Sequence, residues 1–146
     1  MSAKRIWILN GPNLNLVGKR EPDVYGNTSI DAFLEELSVV YQADAQLTMK
    51  QTNVEGELVN FLQEAEQKAD GVLLNAGGYT HTSVAIRDAI AAIDLPVVEV
   101  HISNPYVREG FRQTSLLAPV CKGMIAGFGL ESYVLGLDAL LTLLKN

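Results

Sequence analysis

Five short apolar runs alternate with four helical patterns along 146 residues, and this alternation predicts an α/β fold with a parallel sheet and helices on both faces. Helical segments between the first four strands make right-handed crossovers the simplest connection. The plainest arrangement is a flavodoxin-like sheet of five strands in the order 2-1-3-4-5. That order sets the carboxyl ends of strands one, three and four side by side, over the crevice where wound α/β sheets bind ligands.

The elements follow in turn. Arg5–Leu9 is apolar and short enough for a buried strand. Thr28 with Asp31 three residues on reads as a capping box, opening a helix over Ser29–Gln42 with Ile30, Phe33, Leu34, Leu37 and Tyr41 at helical spacing. Gln46–Gln51 is the second strand, and Glu55–Lys68 a helix with Leu58, Phe61, Leu62 and Ala65 on one face. Gly71–Asn75 precedes a helix over Thr82–Ile93, which carries Ile86, Ala89, Ile90 and Ile93. Pro96–His101 and Gly123–Phe128 complete the strands, and Glu131–Leu144 the helices. The last helix has Tyr133, Val134, Leu137, Leu140, Leu141 and Leu144 on one face and Leu135, Ala139 and Leu143 on another. One apolar stripe covers a sheet. The second points either to burial against another subunit or to a helix sunk deep in its own core.

Composition narrows the function. A chain 48% hydrophobic, with no repeat, linker or low-complexity tract, suits a single catalytic domain over residues 1–146. Eleven basic against seventeen acidic residues, a net charge of −6, oppose binding to nucleic acid or to an anionic membrane. A lone cysteine, Cys121, and no basic-then-apolar leader point to a reducing cytoplasm. Two histidines and one cysteine, scattered as they are, make no metal set, so no metal or cofactor is expected.

The polar residues that stand out fall in three loops. The first, Asn10–Gly26, is long, rich in Gly and Pro, and carries Asn13, Arg20 and Tyr25; loops of this length inside a compact domain often serve as lids. The second, Asn75–Ser83, is a glycine-rich turn with Gly77 and His81, opening a helix that Thr82 or Ser83 can cap. The third, His101–Arg112, offers an imidazole, the Ser103 hydroxyl, Arg108 and Arg112. Glu99 lies two residues before His101, so on a strand the two side chains share a face and the carboxylate can orient or charge the ring. The alternative is that each bonds independently at the sheet end.

Tyr25 is the candidate base. A phenol ordinarily ionises near 10, and an arginine beside it favours the anion, because a guanidinium keeps its charge at any working pH. Holding a phenolate near neutrality takes roughly 3–4 kcal/mol of differential interaction, which a close ion pair in a dry site supplies. Without the arginine, Tyr25 would simply pack at the Gly26 turn. A phenolate base and an imidazolium acid, with amides and arginines for an anionic substrate, suit proton abstraction beside a carbonyl followed by loss of a leaving group.

With Asn10–Gly26, Asn75–Ser83 followed by Ala85-Ile86-Arg87-Asp88, and Glu99–Arg112 in this order, the chain resembles the type II 3-dehydroquinate dehydratases almost end to end. The resemblance implies a cofactor-free lyase that converts 3-dehydroquinate to 3-dehydroshikimate by anti elimination through an enolate, the third step of the shikimate pathway towards chorismate and the aromatic amino acids. It implies a homododecamer, a tetramer of trimers. By the same resemblance Tyr25 removes the C2 proton with help from Arg20, His101 protonates the departing hydroxyl with Glu99 behind it, and Asn13 positions a water against the enolate oxygen. Asn75, Gly77, His81, Ile102, Ser103 and Arg112 fall on substrate positions, the backbone N–H groups of Ile102 and Ser103 taking the carboxylate, and Arg108 supports a closed lid. Asp88 lies about 200° from Ile86 around its helix, away from the core stripe. The family sends this carboxylate into the neighbouring subunit's site.

Departures from the family pattern are the segment Pro105-Tyr106-Val107, where many relatives carry a histidine and alanine, and Gly110, where glutamate is frequent. They bear on lid packing and affinity. Another class of reading is a flavodoxin-like small-ligand binding module. A flavin carrier wants a Ser/Thr-rich loop after strand one, where this chain has Asn-Gly-Pro-Asn, and a receiver wants acids where Asn10 and Asn75 stand. No G-x-G-x-x-G follows the first strand for a dinucleotide.

Overall fold

The computed structural model describes residues 2–18 and 28–145. Five strands, β1 (Lys4–Asn10), β2 (Ala45–Gln51), β3 (Gly71–Asn75), β4 (Val97–His101) and β5 (Gly123–Ala126), pair in parallel in the order β2-β1-β3-β4-β5. Among the described residues, four α-helices cover them: α1 (Ile30–Val40), α2 (Glu55–Lys68), α3 (Val84–Ala92) and α4 (Glu131–Leu144).

Alternation along the strands sorts the core into two layers. Ile6, Ile8, Leu73, Val98 and Val100 face α1 and α4 through Ile30, Leu34, Leu37, Tyr133, Leu137 and Leu140. Trp7, Leu9, Val72, Leu74 and Val97 face α2 and α3 through Leu58, Leu62, Ala65, Ile86, Ala89 and Ile90. Every residue of β3 and β4 is therefore buried, as in any parallel strand covered on both sides. Glycine at 136 lets α4 lie close on the sheet, since a Cβ there would stand 2.7 Å from Val100 Cγ2. Of the two apolar faces of α4, the first packs into its own chain, with Tyr133, Leu137 and Leu140 buried and Val134, Leu141 and Leu144 partly so, whereas Leu135 and Leu143 on the second are exposed by 40% and 45%. The helix is thus not sunk in its own core. No helix among the described residues is long and apolar enough to cross a membrane.

Several boundaries shift by one or two residues from the sequence reading, and three of them have a clear local reason. α1 starts one residue later than the capping box required: Ser29, not Thr28, is the N-cap, its hydroxyl accepting a long 3.5 Å bond from the Ala32 N–H, and Asp31 sits in the first turn beside the positive helix end. α3 starts at Val84 because a 3-10 turn occupies Gly77–His81 and Ser83 Oγ then caps the helix, accepting from Ile86 N–H at 2.9 Å. β5 ends at Ala126 because Gly127 takes a left-handed φ of 96° and turns the chain towards α4.

Candidate active site

The loops after β1 and β3 are fastened to each other beyond the strand ends. Gly11 N–H donates to the Asn75 carbonyl at 2.7 Å. A Cβ at residue 11 would lie 2.4 Å from the Ala76 carbonyl oxygen, so only glycine allows this approach. Gln51 Nε2 donates to the Gly11 carbonyl at 3.1 Å, and the Asn53 side-chain oxygen accepts from Asn13 N–H at 3.0 Å. Asn13 itself is held at a φ of 70°, a left-handed conformation that asparagine tolerates better than most residues.

Beneath this junction lies a buried polar relay. The Tyr133 hydroxyl donates to Asn10 Oδ1 at 2.6 Å and accepts from Asn75 Nδ2 at 3.0 Å, while Asn75 Oδ1 accepts from Gly77 N–H at 3.2 Å. The relay fixes which end of the Asn75 amide is donor and which is acceptor. Burial pushes the Tyr133 phenol well above its ordinary range, so it serves as a neutral hydrogen-bonding group and not as a base.

β4 delivers the dyad. Glu99, fully buried, meets His101 Nε2 through Oε2. Ser115 Oγ stands 2.9 Å from both Glu99 oxygens. Across the cavity His81 approaches His101 as a stacked ring, with centroids 6.4 Å apart and 21° between planes, and His81 Nδ1 bonds the Thr114 carbonyl at 2.8 Å. In the third loop, Asn104 Oδ1 accepts from Tyr106 N–H at 3.0 Å, starting the turn that brings the arginines round. Arg108 donates to Ser103 Oγ at 3.4 Å, and Arg112 Nε pairs with Glu109 at 2.9 Å. Hydrogen bonds from its own backbone, and then from Arg112, hold the Glu109 carboxyl below the usual carboxylate range.

These loops enclose a cavity of about 190 Å³. Asn13, Asn75, Gly77, His81, His101, Ile102, Ser103, Arg108 and Arg112 all line it. Two arginines at one wall give it local positive charge on a chain of net charge −6. Glu99 is behind the wall, touching the cavity only through His101. Asp88 is exposed on α3 and is not part of the lining. Arg20 and Tyr25 lie outside the described residues. Three residues of the arrangement, Asn10, Tyr133 and Ser115, were not singled out as site residues by sequence reasoning. Tyr133 reads as a core residue in an apolar stripe, and Ser115 sits in a loop with no periodicity to place it.

Among the described residues no group of three or more His, Cys, Asp or Glu side chains converges as a metal site. Cys121 offers no nucleophile near neutrality: burial, and then the Glu99 charge, push its thiol up to about 12. What the cavity does hold is an imidazole backed by a carboxylate, a second imidazole, an oriented carboxamide and cationic anchors. That set can donate a proton to a leaving oxygen and bind a small polar anion.

Comparison with known proteins agrees. Residues 4–141 match the family described as dehydroquinase class II. A 3-dehydroquinate dehydratase from an Exiguobacterium species is 57% identical over 142 residues, 97% of either chain, and one from a Nostoc species is 54% identical over the full length of both. Among solved structures, the type II dehydroquinase of Butyrivibrio crossotus superposes with a TM-score of 0.89 at 40% identity, covering 94% of this chain and 97% of that one. The type II dehydroquinase of Propionibacterium acnes gives 0.91 at 36% identity, covering 97% and 98%.

Proposed function

The chain belongs to the class II dehydroquinase family, and from that premise we propose that it dehydrates 3-dehydroquinate to 3-dehydroshikimate with its own side chains alone. The observation that carries this reading is the meeting of the Glu99–His101 dyad, His81, Asn75 and Arg112 over one cavity from separate loops. Tyr25, ionised beside Arg20, takes the C2 proton, and the electron pair moves onto the carbonyl oxygen to form an enolate. Asn13 holds a water against that oxygen, stabilising the charge where it develops. As the carbonyl re-forms, the C1–O bond breaks and His101 protonates the departing hydroxyl, which leaves as water. The anti geometry follows from base and acid on opposite faces of the ring. Tyr25 ends protonated and His101 neutral, and one proton passed between them through solvent restores both.

Ile102 and Ser103 backbone N–H groups and Arg112 take the carboxylate; Asn75, Gly77 and His81 orient the ring hydroxyls; Arg108 supports the closed lid. Asp88 serves a neighbouring subunit's site, a role supported by its exposure away from its own cavity. A homododecamer built as a tetramer of trimers accounts for apolar surface around the open edge of β5, where Met124, Phe128 and Leu135 are exposed by 42%, 63% and 40%. The enzyme works in the cytoplasm as a single domain over residues 1–146. Its reaction is the third step of the shikimate pathway and is shared with quinate breakdown, and the genes beside its own separate those roles.

The test is to add 3-dehydroquinate to chelator-treated protein and follow the conjugated enone by ultraviolet absorbance. Steady product formation, insensitive to borohydride because no lysine Schiff base is involved, is expected. Folded protein that produces no enone refutes the assignment.

A further inference from the structure

Ser115 has a hydrogen-bonding environment that leaves its hydroxyl no choice of direction. Its Oγ accepts from Leu117 N–H at 3.1 Å and from Ala118 N–H at 3.0 Å. A hydroxyl has two lone pairs and one proton, and backbone N–H groups donate only. With both lone pairs taken, the proton goes to Glu99, whose two oxygens stand equally 2.9 Å away. Glu99 therefore accepts from Ser115, and as a carboxylate, which carries no proton of its own, it accepts at its other oxygen as well. With Glu99 as the carboxylate, the proton in its contact with His101 comes from the ring, at Nε2.

The neighbouring residue does the reverse for the other histidine. The Thr114 carbonyl, 2.8 Å from His81 Nδ1, can only accept, so His81 carries its proton on Nδ1. We propose that the two-residue segment Thr114-Ser115 sets the proton positions of both imidazoles, with Ser115 as the positioning residue that keeps His101 protonated on Nε2 and so reserves Nδ1 for the substrate. His101 then gives up its Nδ1 proton when it acts as acid. The neutral ring that results is already the tautomer the dyad favours, and no reorientation is needed between turnovers. The kinetic part of this inference rests on the dehydratase reading above; the proton positions do not.

The chain contains two histidines, so magic-angle-spinning NMR of the intact assembly with ¹³C,¹⁵N-labelled histidine reads both rings directly. In alkaline buffer, with the rings neutral, the wild type should show one ring of each tautomer. His81→Gln should remove the Nδ1-protonated set and thereby assign it. Ser115→Ala should turn the His101 signals into a mixture of tautomers and leave His81 unchanged; Ser115→Thr, which keeps the hydroxyl, should restore them. In turnover, Ser115→Ala should lower kcat by about 10- to 100-fold, the size of one hydrogen bond to a charged group, with KM changed by less than about threefold. Two wild-type rings of the same tautomer, an unaltered His101 spectrum in Ser115→Ala, or wild-type kcat in that variant would overturn the proposal. The wild-type spectrum decides the proton positions even if Ser115→Ala does not fold. A protein inert towards 3-dehydroquinate but with opposite tautomers would sink the dehydratase reading alone.

Discussion

Tyr133→Phe removes one oxygen atom from the middle of the buried relay, and its consequence can be worked from the geometry. The phenol donates at 2.6 Å to Asn10 Oδ1 and accepts at 3.0 Å from Asn75 Nδ2, and all three residues are nearly or fully buried. Without it, an acceptor on Asn10 and a donor on Asn75 are left with no partner in a site too tight for ready solvation. Two lost bonds with buried partners stranded should cost about 2–4 kcal/mol, offset only slightly by the easier burial of a phenyl ring. At this chain length the expected fall in Tm is roughly 5–15 °C. Urea unfolding at matched protein concentration should show a lower midpoint at unchanged m, and a double-mutant cycle with Asn10→Leu should give a coupling of about 1 kcal/mol or more. Because the relay also fixes the Asn75 amide, KM should rise more than kcat falls. A loss under about 0.5 kcal/mol with unchanged KM would mean that the hydroxyl neither satisfies these partners nor aligns the carboxamide.

Three further perturbations probe separate parts of the molecule. Tyr25→Phe should retain substrate binding in calorimetry and lose about 10²–10⁴-fold in kcat, the usual worth of a positioned acid or base; near-normal turnover would place the base elsewhere. Gly11→Ala should destabilise the chain by about 1–3 kcal/mol and raise KM, because its methyl must displace the Ala76 carbonyl and part the loops after β1 and β3. Cys121 should react with an alkylating reagent at pH 8 only after unfolding. Its folded thiol is raised to about 12 from the ordinary 9.0, so the associated stabilisation is complete below about 9 and is lost as pH climbs towards 12, a trend pH-dependent unfolding of Cys121→Ser would lack.

Most of the scaffold was legible from local pattern. The continuous apolar runs of β3 and β4 announce strands buried on both faces, and Glu55–Lys68 and Glu131–Leu144 carry their periodicity to the residue where the helices end. The errors were at boundaries, where short-range hydrogen bonding competes with periodicity: Ser29 over Thr28 at the start of α1, the 3-10 turn before α3, and the Gly127 turn that shortens β5. The pairing of Glu99 with His101 was open to sequence because two residues on one strand share a face. The choice between a second subunit and a deep core for the outer stripe of α4 was not, since periodicity names a face without saying what covers it.

Residue order and side-chain chemistry alone were enough for the wound α/β architecture, the family, and the loops on which the reactive groups sit, because each depends on periodicity or on neighbours close along the chain. Folding decided the remainder. Tyr133 reaches Asn10 across 123 positions and Asn75 across 58, and Ser115 reaches Glu99 across 16. Such contacts exist only once the sheet has brought distant segments together, and it is their hydrogen-bond directions, invisible in any one segment, that orient the amide and the imidazoles in the cavity.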